Sequence, residues 1–329
     1  MVASPFIPFT VLVSGAGSIG KRHARNLIDL GVERVVVCDP DAANRKGIQR
    51  DLSVQTHTNF EEALTETKPD ITVICSPTKF HISQALLAAQ TGTHLFIEKP
   101  LSYNMDGTEE LEQEVAAKKI ICMVGCNMRF HHGPAMVKNL MEEGRIGTVK
   151  HAEIYTGSFL PNWRPQQDYR KSYSADPLQG GAVLDCIHEI DLALWYLGSA
   201  VLEHAVVKPA TSIGLAVDGT ADITLKHKSG AMSQVHLSFT EPEYKRFCIV
   251  TGTNGVIKWD IRDNCVLLFS QKGEVSASYP EPRGYEFNWA YQEEISHFFR
   301  AIVQKTKPYG SLAEAKNALH IALQSRQCL

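Results

Sequence analysis

The 329-residue chain has no apolar run approaching the roughly 20 residues that a membrane-spanning helix needs. Its opening stretch, Met1 to Phe9, lacks a basic start and is interrupted by Pro5 and Pro8, so it does not read as a secretory leader and a cytoplasmic location is expected. An excess of either charge is also missing. The 33 Lys and Arg face 36 Asp and Glu without long blocks, which leaves no footprint for a nucleic-acid backbone or an anionic membrane. Cysteine is sparse and scattered: the 8 present fall mostly inside apolar runs such as Val37-Cys38, Ile74-Cys75, Ile121-Cys122 and Cys248-Ile249. That is the pattern of small buried hydrophobes in a reducing compartment, not of a disulfide framework. Cys122 and Cys126 are the one close pair, with no second Cys or His pair beside them, so no metal is expected. Internal repeats and low-complexity tracts are absent as well.

What is present is ordinary globular material, 44% apolar and 21% charged, in a chain about twice the usual single-domain length. Short β-branched runs alternate with amphipathic segments over the first 125 residues: strands at Thr10 to Ser14, Val35 to Asp39, Ile71 to Ser76, His94 to Ile97 and Ile120 to Gly125. Between the first two, Ile19, His23, Ala24, Leu27 and Ile28 recur at helical spacing, with Gly31 placed to end the helix. Later crossovers read as Glu61 to Thr67, Ile82 to Thr91 and Met105 to Lys118. After Gly125 come a helix (Pro134 to Glu143), a long strand (Val149 to Ser158), a loop, a helix (Ala182 to Leu197) and a series of strands with two-residue connections at Ser229-Gly230 and Thr253-Asn254, which indicate hairpins. Two helices, near Tyr291 to Lys305 and Leu312 to Gln324, close the chain. Two domains are expected, residues 1–125 and 126–329.

Gly15-Ala16-Gly17-Ser18-Ile19-Gly20 follows the first strand and opens the first helix, and Asp39 ends the next strand. Each glycine has a reason: Gly15 makes the turn, Gly17 lets backbone approach a pyrophosphate at the helix N-terminus, and Gly20 lets helix meet strand. Asp39 can accept from ribose hydroxyls and repels a 2′-phosphate, so NAD is expected and NADP disfavoured, with Arg45 able to moderate that preference. The fold class is therefore α/β, an N-terminal Rossmann doubly wound parallel sheet followed by an α+β domain with a large, mainly antiparallel sheet.

Glu98-Lys99-Pro100 follows the strand His94 to Ile97, at the carboxyl end where open α/β sheets place ligands. Together with the glycine fingerprint, Ser76-Pro77, and Gly180-Gly181 opening a helix that carries Asp185, His188 and Asp191, the chain from about residue 10 onward resembles the Gfo/Idh/MocA family of sugar and cyclitol oxidoreductases. That resemblance implies cofactor contacts from Gly15, Gly17, Ser18, Ile19, Gly20, Asp39, Ser76, Pro77, His81, Glu98 and Lys99. It also places Lys99, Asp185 and His188 beside nicotinamide and substrate. One departure weakens Asp185: many members have one more residue between that aspartate and the histidine. Taken as one continuous helix at about 100° per residue, Asp185 and His188 fall together, opposite an apolar face of Val183, Ile187, Ile190, Leu194 and Leu197. Alcohol oxidation needs a base at the hydroxyl, a role that suits His188, with Lys99 stabilising charge on the same oxygen and Asp185 orienting a neighbouring hydroxyl or the imidazole.

Leu160 to Tyr173 is too polar for core and rich in Trp, Tyr and Arg. Trp163 and Tyr169 suit the C–H face of a sugar ring, and Arg164, Arg170 and Asp168 suit hydroxyl or acidic groups, so an acidic or nucleotide-linked sugar is expected. The alternative for this loop is a domain linker or subunit contact. Asn127 and Arg129 stand just after the last parallel strand and are expected to line the substrate cleft. His131-His132 reads as a solvated helix start. A different activity fits the same residues: an NAD-dependent glycosidase acting by transient oxidation and elimination. The antiparallel sheet and the resemblance both imply a homodimer or homotetramer.

Overall fold

The computed structural model describes residues 7–329; Met1 to Phe6, part of the opening stretch read above, lie outside the described residues. Two compact units form, one from the N-terminal part through Cys126 together with Tyr291–Lys316, the other from Asn127–Ala290 with Asn317–Leu329. Among the described residues no helix is long and apolar enough to cross a membrane.

The first unit runs β1 (Ile7–Ser14), α1 (Ser18–Asp29), β2 (Val32–Cys38), α2 (Ala42–Leu52), β3 (Gln55–His57), α3 (Phe60–Thr67), β4 (Ile71–Ile74), α4 (His81–Gln90), β5 (His94–Ile97), α5 (Thr108–Lys118) and β6 (Cys122–Val124). Its six strands pair in the order β3-β2-β1-β4-β5-β6, all parallel. The central strands bury every residue of Val11 to Val13, Val35 to Val37, Ile71 to Ile74 and Leu95 to Ile97, as a sheet covered on both faces requires. The order reverses between β1 and β4, which marks the ligand-binding end of such a sheet.

The second unit continues with α6 (His132–Glu142), β7 (Val149–Phe159), α7 (Ala182–Asp185), α8 (Ile187–Leu197), β8 (Ala200–Pro209), β9 (Asp218–His227), β10 (Met232–Ser238), β11 (Thr240–Gly252), β12 (Gly255–Asp260), β13 (Cys265–Ser270) and β14 (Val275–Pro280); α9 (Asn288–Gln304) and α10 (Leu312–Arg326) follow. The eight-stranded sheet has the order β14-β13-β12-β11-β7-β10-β9-β8. Every neighbouring pair is antiparallel except β7 with β10. One face buries Ile154, Ile223, Val235, Cys248, Trp259 and Val266. The other carries a cross-strand row in which Tyr155 stacks on His236 at 4.4 Å and on Phe247 at 4.7 Å, with His236 between Asp222 (2.6 Å) and Glu241 (2.9 Å).

Three expectations change. The expected second domain, 126–329, gives up Tyr291–Lys316 to the first unit. The reason is aromatic packing: α9 buries Ile295, Phe298 and Phe299, with Phe298 against Phe96 at 5.7 Å, and the Gly310 carbonyl accepts from Val124 N at 2.7 Å. The expected helix Ala182 to Leu197 breaks at Cys186 (φ −96°, ψ 30°) into the single turn α7 and the longer α8. His131 is not solvated. It is 2% exposed, ringed by Trp259, Tyr285 and Phe287 at 5.2–5.4 Å, and burial, followed by the charges of Arg246 and His132, pushes its pKa down to about 4.

Candidate active site

The glycine loop is shaped by contact distances. Gly15 has φ +93°, and a Cβ there would lie 2.6 Å from the Cys75 carbonyl oxygen; at Gly20 it would lie 1.9 Å from that of Gly15. Gly17 caps α1 with no side-chain hydrogen bond and has nothing within 4 Å of where a Cβ would stand. The first N–H groups of α1, at Ser18 and Ile19, therefore have no side-chain cap, as a pyrophosphate site would require. Asp39, 6% exposed at the end of β2, accepts from Ala16 N at 2.7 Å, Asp41 N at 2.8 Å and Asn44 Nδ2 at 3.3 Å. Its carboxylate thus fixes the glycine loop. Arg45 is turned onto the carbonyls of Asp39 and Pro40 at 2.7 and 2.8 Å. The donors and spaces of this loop fit a dinucleotide.

Three residues taken as cofactor contacts have other partners. His81 is buried, with Nε2 on the Ser76 carbonyl at 2.8 Å and Nδ1 on the Pro100 carbonyl at 2.9 Å, so it braces the loop after β4 against the loop after β5. Burial lowers its pKa against the raising effect of both carbonyls, and the neutral ring, with one proton, donates to one of them at a time. Ser76, followed by Pro77 and a short turn, donates to Gln84 Oε1 at 2.8 Å. Glu98 is buried and accepts from His23 Nε2 at 2.6 Å and from Lys99 N at 3.1 Å. Burial alone would raise the Glu98 pKa; the hydrogen bond and attraction of His23, then Lys99, reverse this and hold it below the usual value. The half-buried Lys99 therefore follows directly on an ionised, anchored carboxylate.

His23 was read only as one position of an apolar helical stripe. It is fully buried, with its ring 5.2 Å from Phe96 and 5.9 Å from Tyr291. An imidazole in such a stripe needs a polar partner, and that signal was available. Glu294 was also missed; its Oε1 accepts from Cys126 N, a partner far away in sequence.

In the second unit the break at Cys186 removes the helical-wheel argument for Asp185 and His188, because the turn angle does not carry across it. Asp185 closes α7 and accepts from Ser174 Oγ at 2.6 Å. His188, 9% exposed, lies in the first turn of α8. The same helix carries two buried carboxylates, each paired with an arginine. Glu189 Oε1 accepts from Arg246 Nε at 2.7 Å, and Asp191 meets Arg129 at 2.6 and 2.8 Å. Arg129, expected at the substrate, is 4% exposed and committed to Asp191, with its guanidinium 5.6 Å from the Trp195 ring centre. These pairs fix the rotation of α8, because removing one partner would strand a buried charge. Asn127 is buried in the turn just before α6.

The aromatic loop is folded as three short turns. Trp163 is 42% exposed and donates to Ser158 Oγ at 2.9 Å, and Tyr169 donates to the Ile213 carbonyl at 2.9 Å. Arg170 grips Asp168 at 2.9 and 3.2 Å, so the expected pair of free arginines reduces to the exposed Arg164. Among the described residues no group of three or more His, Cys, Asp or Glu is arranged to hold a metal ion.

Comparison with known proteins matches both units. Residues 9–126 match the oxidoreductase family described as having an NAD-binding Rossmann fold, and residues 135–258 match the GFO/IDH/MocA C-terminal domain. The chain is 30% identical to the uncharacterized oxidoreductase YrbE of Bacillus subtilis over 88% of its own length and 85% of the relative's. It is 28% identical to myo-inositol 2-dehydrogenase of Thermotoga maritima, covering 96% and 95%. The solved structure of myo-inositol 2-dehydrogenase from Lactobacillus plantarum shares the fold, with a TM-score of 0.83 at 23% identity over 98% of this chain and 97% of that one.

Proposed function

The chain belongs to the Gfo/Idh/MocA family of NAD-dependent oxidoreductases, and on that premise we propose that it interconverts a ring hydroxyl and a ketone on a sugar or cyclitol. The observation that carries the reading lies within the first unit. The Gly15–Gly20 cradle and Lys99 stand at the carboxyl ends of β1 and β5 of one parallel sheet, the end at which such sheets bind ligands.

When bound, the nicotinamide supplies the hydride acceptor or donor. His188 takes the proton of the reacting hydroxyl, or returns it to the ketone, because an imidazole can both accept and donate a proton. Lys99, whose backbone N–H is held by the anchored Glu98, supplies positive charge that stabilises a developing alkoxide. Asp185, fixed by Ser174, orients a neighbouring hydroxyl or the imidazole.

For the substrate we favour a neutral, hydroxyl-rich ring. Arg129 and Arg170 are each neutralised by a carboxylate within the second unit, and relatives at 26–28% identity are named as dehydrogenases of myo- and scyllo-inositol. An acidic or nucleotide-linked sugar is the second reading, favoured by the exposed Arg164 alone. The row of Tyr155, His236 and Phe247 on the second face of the large sheet supports self-association through that face as a dimer or tetramer. Light scattering at micromolar concentration tests this, and a monomer refutes it.

The activity is tested by following nicotinamide reduction with a panel of cyclitols, neutral sugars, uronic acids and nucleotide sugars. Turnover only with acidic members overturns the neutral-ring reading. Product without net change in free NAD overturns simple dehydrogenation in favour of the eliminating mechanism.

A further inference from the structure

We propose that Asp218 and Arg326 are positioning residues for the turn that carries Asp185 and leads into His188, an inference that rests on the role given to Asp185 above. α7 is four residues long, too short to hold its own geometry, and its start at Gly181 carries no side-chain cap of its own. The missing acceptor comes from another strand. Asp218, the first residue of β9, is fully buried and takes the Val183 N–H at 2.7 Å. Gly181 has φ +93°, and a Cβ there would lie 2.2 Å from Asp218 Oδ1, so the carboxylate sits directly against the start of the helix.

A carboxylate removed from water needs an opposite charge as well as a donor. The charge is Arg326 in the last turn of α10, whose Nε pairs with Asp218 Oδ1 at 2.9 Å as an ion pair without hydrogen-bond geometry. Arg326 Nη2 also reaches the Pro177 carbonyl at 3.5 Å, in the loop that leads into Gly180. That loop holds both ends of the turn, since the Ser174 carbonyl accepts from Gly181 N at 3.0 Å at its start and Ser174 Oγ donates to Asp185 at its end. The turn is therefore clamped at its first residues by Asp218 and Arg326 and at its last by Ser174. Because Cys186 interrupts the helix directly afterwards, α8 does not impose the orientation of Asp185, and these anchors do.

The test compares Arg326→Gln, Arg326→Lys and Asp218→Asn in the full chain. Arg326→Gln should lower kcat about tenfold, leave NAD affinity unchanged and alter the pH profile of kcat, whereas Arg326→Lys should recover most of the loss. Hydrogen exchange should rise in Val183 to His188 and stay unchanged in α1, a readout that needs no substrate. Wild-type kcat and pH profile in Arg326→Gln overturn the proposal whatever its melting temperature. If the wild-type chain has no NAD-linked turnover, the functional reading falls. Exchange then decides alone: unchanged protection over Val183 to His188 refutes the anchor, and locally increased exchange sustains it. Should Arg326→Gln fail to fold, Arg326→Lys and Asp218→Asn carry the same comparison.

Discussion

Replacing His131 with Phe should make the protein less sensitive to acid, and the size of the effect follows from the buried imidazole. His131 has a pKa of about 4 in the folded chain, against ~6.5 when unfolded. A folded pKa below the unfolded one means that the unfolded state binds the proton first. The contribution is complete above pH ~6.5 and is lost as pH falls from there through about 4. At about 1.4 kcal/mol per unit the total is roughly 3 kcal/mol, of which about 2 kcal/mol is gone by pH 5. Phe keeps the ring among Trp259, Tyr285 and Phe287 and removes the titration. It also loses the weak cap that Nδ1 provides by accepting from Gly133 N at 3.3 Å, a cost that is constant while the ring is neutral, as it is at both pH 7 and pH 5. Melting curves of both proteins at pH 7 and pH 5 isolate the difference. At roughly 2–4 °C per kcal/mol, the gap should move by about 4–8 °C in favour of His131→Phe on acidification. Parallel curves for the two proteins would refute the assignment of a buried neutral imidazole at this position.

The same logic gives expectations at the site. His23→Phe keeps the ring contacts with Phe96 and Tyr291 but takes one donor from the buried Glu98, so it should cost roughly 1.5–3 kcal/mol in urea unfolding at pH 7. Because the Glu98 pKa is lowered in the fold, that cost should shrink as pH falls below about 4.5, and a cost constant with pH counts against the pair. Asp39→Ala removes the acceptor for Ala16 N as well as the ribose partner, so calorimetric NAD affinity should fall at least about tenfold; an unchanged affinity removes Asp39 from the cofactor site. Arg170→Ala should leave KM near wild type because Asp168 already occupies its guanidinium, while Arg164→Ala raises KM more than it lowers kcat if the substrate is acidic. Equal effects of the two replacements would mean that the loop acts as one unit.

The parallel sheet was legible because its strands are continuous β-branched runs, and the cofactor loop because glycine spacing encodes steric limits. β3 and α2 went unread: Gln55–His57 has no apolar run, and α2 buries only Ile48, so neither period nor composition marks them. The break at Cys186 lies in Ala-Val-Leu-Asp-Cys-Ile-His-Glu, which contains no glycine or proline. It comes from packing that local sequence does not specify. Arg129 illustrates the general difficulty. An arginine after a strand at the ligand end suggests a substrate contact, but Asp191, 62 positions away, claims it, and only the tertiary fold reveals the pairing. Glu98 and His23 were both visible as residues, yet their meeting across β5 and α1 was not.

The return of Tyr291–Lys316 to the first unit has a consequence for biosynthesis. A chain leaving the ribosome exposes the whole six-stranded sheet long before α9 exists, so Phe96 waits without Phe298, and Val124 N without the Gly310 carbonyl. The N-terminal unit cannot reach its final packing until Tyr291–Lys316 has emerged, and a fragment cut at Cys126 would leave that apolar surface uncovered. Nascent chains arrested before Tyr291 should therefore be captured by holdase chaperones, and those extended past Lys316 should be released.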